Sequence, residues 1–231
     1  MNLKERRGIH KKFYREGRGI LFSLFIICTL CSWMAWHFQP YRLVFALVVV
    51  VSLIIIGLAL NFFRSPVRHN PHIGKDGAVT SPADGKIVAA EVVYEGRYLK
   101  QEALKVSVFM SLYSVHANWI PVEGTIELVE HTEGNFHKAF LPKSSLENEH
   151  SSVIIRTPGG KRILVEQIAG AVARRITTYV QPGDPVNIND KLGFIRFGSR
   201  VDIYLPPDTV LEHSIGTSVT GGMTLLGYLP L

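Results

Sequence analysis

The sequence predicts an N-terminal transmembrane helical hairpin followed by a mainly-β domain of sandwich or barrel-sandwich-hybrid type. Three observations predict it. Two long uncharged apolar runs stand close together near the N-terminus, Ile20–Phe38 and Leu43–Phe63. From Lys75 onward the chain breaks into short Val- and Ile-rich segments punctuated by Gly, Pro, Asp and Asn. No long 3.6-residue apolar period appears in that part.

The two runs make roughly 28 and 31 Å of helix, close to the ~30 Å hydrocarbon core of a bilayer. The second run, with Val48 to Val51 and Ile54 to Ile56, is apolar all round, as a lipid-facing helix is. Only Gln39-Pro40-Tyr41-Arg42 separates the runs, a link suited to antiparallel neighbours. A cleaved signal peptide is disfavoured, because no small-residue cleavage site follows the first run and a second span comes almost at once. Residues 1–19 then form a basic N-terminus, 20–63 the hairpin, 64–77 a linker and 78–231 the β domain. Met1 to Arg18 holds seven Lys and Arg, whereas the link holds only Arg42, so the positive-inside rule puts both ends and the β domain on the cytoplasmic side of the cell membrane.

The formal net charge of +6 comes wholly from this N-terminal region: residues 64–231 carry 17 basic and 17 acidic side chains. A balanced domain offers no footprint for nucleic acid, and the basic N-terminus suits anionic headgroups. Cys28 and Cys31 lie inside the first span, where they act as small apolar residues rather than a redox pair. His69 and His72 fall in the linker, and His131, His137, His150 and His213 lack ligand spacing with carboxylates, so no metal is expected.

In the β domain the expected strands are Lys86–Tyr94, Leu104–Met110, Thr125–Glu130, Val153–Thr157, Arg162–Ile168 and Arg174–Val180. Two more flank a Gly-Ser pair, around Phe194–Arg196 and over Val201–Leu205, and Ser144–Glu149 suggests a short helical turn. Pro82-Ala83-Asp84-Gly85-Lys86-Ile87 resembles the turns of lipoyl-type hybrids, but the Met-Lys-Met carrier hairpin is absent, so the pattern is architectural.

Phe197-Gly198-Ser199-Arg200 carries the chemistry. Glycine leaves its carbonyl open to approach, and a serine directly after it can attack that carbonyl. Alone, Gly-Ser is more often a tight turn. Its company consists of Phe62-Phe63-Arg64-Ser65-Pro66, then Ser81 to Val88 (SPADGKIV), Val115 to Gly124 (VHANWIPVEG) and Gln167 to Ile176 (QIAGAVARRI). The last stretch is Gly193 to Asp202 (GFIRFGSRVD). As an ordered set these five stretches resemble the short-form, pyruvoyl-dependent phosphatidylserine decarboxylases.

The resemblance implies self-cleavage between Gly198 and Ser199, which leaves a large subunit, a small subunit and a pyruvoyl cofactor derived from Ser199. It implies a processing triad of Asp84, His116 and Ser199, with His116 as base and Asp84 holding its imidazole. One departure stands out: longer members carry a second histidine where this chain has Trp119, which leaves open whether His116 serves cleavage or decarboxylation. Arg174 or Arg175 is expected to grip the lipid phosphate. Phe136 and Phe140, in the apparent loop Gly134–Pro142, are expected to meet the acyl chains. The implied activity is conversion of phosphatidylserine to phosphatidylethanolamine and CO2. An ether-linked serine lipid and a non-enzymatic membrane-anchored adaptor are the alternatives, and homo-oligomerisation is left open.

Overall fold

The computed structural model describes residues 13–38, 42–134, 148–170, 176–196 and 199–230. Two compact units divide the chain near Pro66, one from His10 to Pro66 and the other from Val67 onward.

The first unit is a pair of helices, α1 (Arg15–Phe38) and α2 (Arg42–Phe62). Both are long and apolar enough to cross a membrane. Large apolar side chains such as Phe22, Phe25, Leu43, Leu47 and Leu53 stand exposed along them, a surface consistent with membrane association. Hydroxyls within α1 bond back to the helix itself, Thr29 Oγ1 to the Phe25 carbonyl and Ser32 Oγ to the Cys28 carbonyl, each at 2.8 Å. Neither of these hydroxyls has to seek a partner in hydrocarbon. Trp36 meets Phe45 edge-on at 5.3 Å. At the other end Phe63 lies so close to Gly17 that any Cβ there would stand 2.2 Å from its ring.

The second unit is mainly β, as expected. Its large antiparallel sheet holds eight strands in the order β13-β2-β3-β11-β7-β6-β5-β9. These are β2 (Gly85–Glu95), β3 (Gln101–Met110), β5 (Gly124–Thr132), β6 (His150–Arg156), β7 (Arg162–Ala169), β9 (Pro185–Val186), β11 (Ser199–Leu205) and β13 (Ser218–Val219). Two three-stranded sheets complete the unit. One is β1 (Ala78–Thr80), β14 (Leu225–Tyr228) and β12 (Val210–Leu211); the other is β4 (Ala117–Trp119), β10 (Lys191–Ile195) and β8 (Ile176–Thr178).

One core joins all three sheets. Val106, Val108, Val201, Ile203 and Val165 of the large sheet share it with Val79, Leu226, Leu192 and Ile195 of the small ones. Alternation along a strand sends every second side chain to this inner face. In β11 those are Ser199, Val201, Ile203 and Leu205, whereas Tyr204 belongs to a smaller cluster with Leu164, Ile154 and Ala103. Ser199 is therefore on the core side of the sheet.

Of the expected strands, Arg174–Val180 is described only from Ile176 onward. Among its described residues Ile176–Thr178 pairs, against β10, and residues 171–175 lie outside the described set. Most of the helical turn expected over Ser144–Glu149 also lies outside it.

Candidate active site

Ser199 opens β11, a central strand, between Met110 of β3 and Ala169 of β7. Its side chain has 0% exposure, and its hydroxyl donates to the Met110 sulfur at 3.2 Å. A buried hydroxyl costs free energy unless bonded, and a thioether is a weak acceptor.

Past Met110 the chain turns tightly through Ser111–Ser114, closed by the Ser114 N–H on the Ser111 carbonyl at 2.9 Å. It then presents His116, fully buried. The Ile195 N–H donates to the His116 carbonyl at 3.0 Å. Two pins therefore tie this segment down: Met110 pairs with Ser199, and the His116 carbonyl takes the bond from Ile195. The imidazole Nδ1 lies 2.9 Å from the Ser114 carbonyl oxygen. A carbonyl only accepts, so Nδ1 carries the proton, and in the neutral ring Nε2 holds the lone pair a base requires.

Asp84 stands in a different cluster. Arg68 grips its two carboxylate oxygens at 2.6 and 2.7 Å, and the Gly221 N–H donates to it at 2.8 Å. The expected Asp84–imidazole bond is not formed; the imidazole Nδ1 meets the Ser114 carbonyl. The physical reason lies in Trp119. The Arg68 guanidinium sits 4.0 Å from the centre of the indole ring and the Lys191 ammonium 4.2 Å. A flat aromatic face attracts cations, and a carboxylate nearby then pairs with a cation. Lys191 is nearly buried, and burial, helped by Arg68 and opposed by Asp84, pushes its pKa down to about 7. Gly221 and Gly222 leave room for the indole: a Cβ at either would stand 2.4 and 3.0 Å from it.

A buried polar chain on the inner face went unread in the sequence, although the quoted stretches contain two of its members. Gln167 Nε2 donates to Asn118 Oδ1 at 2.7 Å, and Asn118 Nδ2 approaches the Met110 sulfur at 3.6 Å. Thr178 Oγ1 donates to Gln167 Oε1 at 3.0 Å, and Ser151 Oγ lies 2.7 Å from Thr178. Asn118, Gln167 and Ser151 are fully buried. Amides at strand positions facing a core were the available signal. Gly193 keeps the space open, since a Cβ there would stand 2.6 Å from Gln167 Nε2.

On the opposite face of the sheet Glu166 accepts from Tyr204 at 3.0 Å and from Ser152 at 3.2 Å. Burial, with the Asp202 carboxylate nearby, pushes its pKa up to about 7.

Gly198, Phe136, Phe140, Arg174 and Arg175 lie outside the described residues. Among the described residues no three His, Cys, Asp or Glu stand together as a metal site.

The profile of the phosphatidylserine decarboxylase family matches residues 56–227. The chain belongs to this family. It is 46% identical over 218 residues to the phosphatidylserine decarboxylase proenzyme of Parabacteroides distasonis, covering 94% of this chain and 99% of that one. The proenzyme of Bacteroides thetaiotaomicron is 46% identical over 94% of this chain and 95% of its own. That of Nitrosomonas europaea is 43% identical over the same shares. Family membership makes this chain a decarboxylase.

Proposed function

We propose that this chain is a membrane-anchored, self-processing decarboxylase that converts phosphatidylserine to phosphatidylethanolamine and CO2. The observation that carries the reading is the burial of the Ser199 hydroxyl at a strand head, on a weak acceptor, beside the segment that presents His116. The relatives are named for phosphatidylserine, which favours neither an ether-linked lipid nor an adaptor.

Processing uses the chain's own atoms. His116 Nε2 takes the Ser199 proton while Oγ bonds to the Gly198 carbonyl carbon. The Gly198–Ser199 amide C–N bond breaks, the nitrogen is protonated, and an ester links the two residues. Loss of the Ser199 Cα proton then breaks the Cβ–Oγ bond, leaving a Gly198 carboxylate and a dehydroalanine. Water replaces its nitrogen, releases ammonia and leaves a pyruvoyl group at the head of residues 199–231. The surroundings fit this group: it is built from the serine's own carbons, needs no added volume, and sits where Ser199 has no contact with solvent.

Once formed, the pyruvoyl group would supply an electrophilic carbonyl for the substrate amine and a sink for the electron pair left by CO2. His116, oriented by the Ser114 carbonyl, holds the proton that returns to the substrate carbon. Leu112 and Tyr113, 58% and 72% exposed, form the corners of the Ser111–Ser114 turn, positions usually given to polar residues. This apolar rim, between Met110 and His116, faces the lipid's tails. Phe136 and Phe140 complete the tail contacts, and Arg174 or Arg175 takes the phosphate. The hairpin spans the cell membrane with the β domain on the cytoplasmic side, where the basic N-terminus also lies.

Phosphatidylserine vesicles with labelled carboxyl carbon test the reading. The wild-type protein releases labelled CO2, and Ser199→Ala, which cannot cut itself, releases none. Equal release from both would overturn it.

A further inference from the structure

We propose that Met110 is a positioning residue for the Ser199 hydroxyl, held in place through Asn118 and Gln167. The inference rests on the self-cleavage reading above and deepens it.

Two donors converge on one sulfur: the Ser199 hydroxyl at 3.2 Å and the Asn118 amide at 3.6 Å. The bonds behind them run in a single direction. Thr178 gives its hydroxyl proton to Gln167 Oε1, so it accepts from Ser151. Gln167 then donates to Asn118 Oδ1, which turns the Asn118 NH2 group toward Met110. Each amide orientation is fixed by the bond before it. Every member except Thr178 is fully buried, and Thr178 is partly so. The side chain of Met110, otherwise the most adaptable of core residues, is thereby given one resting place.

A thioether suits a nucleophile that must surrender its proton. A backbone carbonyl or carboxylate in the same place would hold the hydroxyl proton firmly and oppose its transfer. A purely apolar neighbour would leave a buried hydroxyl unbonded and free to rotate toward any other acceptor. Sulfur holds the hydroxyl oxygen in place while letting its proton turn to His116 Nε2 at little cost. Its binding partner on the far side, the Asn118 amide, remains as a donor once the hydroxyl has become part of the ester.

Met110→Leu removes the acceptor while conserving volume and apolarity, a swap that cores tolerate well. Full-length chains made by cell-free synthesis, with scission followed by denaturing electrophoresis after translation is stopped, give the rate. The expected result is scission at least tenfold slower than wild type, with the melting temperature of Met110→Leu/Ser199→Ala matching that of Ser199→Ala. Asn118→Asp, which keeps the acceptor for Gln167 and drops the donor to sulfur, slows scission several-fold. Hydroxylamine, which cuts the ester once formed, does not restore the Met110→Leu rate, because the attack forming that ester is the step impaired. Wild-type scission by Met110→Leu overturns the proposal, as does full recovery with hydroxylamine. A wild-type chain that never cuts itself overturns the self-cleavage reading instead, so the two failures are distinct.

Discussion

A single guanidinium, that of Arg68, holds both carboxylate oxygens of Asp84, at 2.6 and 2.7 Å. The pair is largely buried and stacks against Trp119 through Arg68. Asp84 lies next in the chain to Ala83, whose backbone bridges to Asn118.

This arrangement predicts a particular mutant cycle. Breaking a buried pair by removing one partner costs about 3–5 kcal/mol, less where solvent reaches it. Arg68→Met and Asp84→Asn therefore each lower stability, and the double variant loses less than their sum, as urea unfolding in a Ser199→Ala background measures. Both single variants slow self-scission to a similar degree. A loss seen in Asp84→Asn and absent from Arg68→Met would return Asp84 to the imidazole.

His116→Gln keeps a side chain that can donate to the Ser114 carbonyl but has no basic nitrogen. Loss of a positioned base costs ~10²–10⁴-fold, so scission in this variant slows by about 100-fold or more in the same electrophoretic time course. Normal scission with lost CO2 release would confine His116 to the second reaction.

The hairpin and the principal strands were legible because their signals are local. An apolar run of span length needs no partner to be recognised, and Val201–Leu205 alternates within itself, so β11 emerged nearly whole. Strands such as β1, β4 and β12 are two or three residues long, and distant pairing rather than composition makes them strands. Ser199 was legible from its motif, but its thioether partner was not, since Met110 lies 89 residues away. Asp84 and His116 stand out in the sequence, yet only the folded chain shows Arg68 against the one and the Ser114 carbonyl against the other.

Glu166 gives the β domain a pH dependence. Unfolded, its carboxyl releases a proton near the ordinary 4.5; folded, it keeps the proton to about 7. The folded state therefore binds more protons between those values, stability falls as pH rises across that window, and the loss is complete above about 7. Glu166→Gln removes the charge, so at pH 8.5 it stabilises the Ser199→Ala chain by up to about 3 kcal/mol, and at pH 4 by little. Thermal melts at the two values measure this, and equal effects would refute the assignment.

Leu112 and Tyr113 are expected to matter only for a substrate presented in a bilayer. The double variant Leu112→Ser/Tyr113→Ser raises the apparent KM for phosphatidylserine vesicles several-fold and leaves turnover of a water-soluble short-chain phosphatidylserine unchanged. Parallel losses on both substrates would place these residues in the chemistry itself.

The intact masses of the purified, enzymatically active protein bear most directly on the account. Two polypeptides are predicted, one ending at Gly198 and the other comprising residues 199–231 with a ketone in place of its N-terminal amine. A single unbroken chain of 25.8 kDa that still releases CO2 from phosphatidylserine would contradict it.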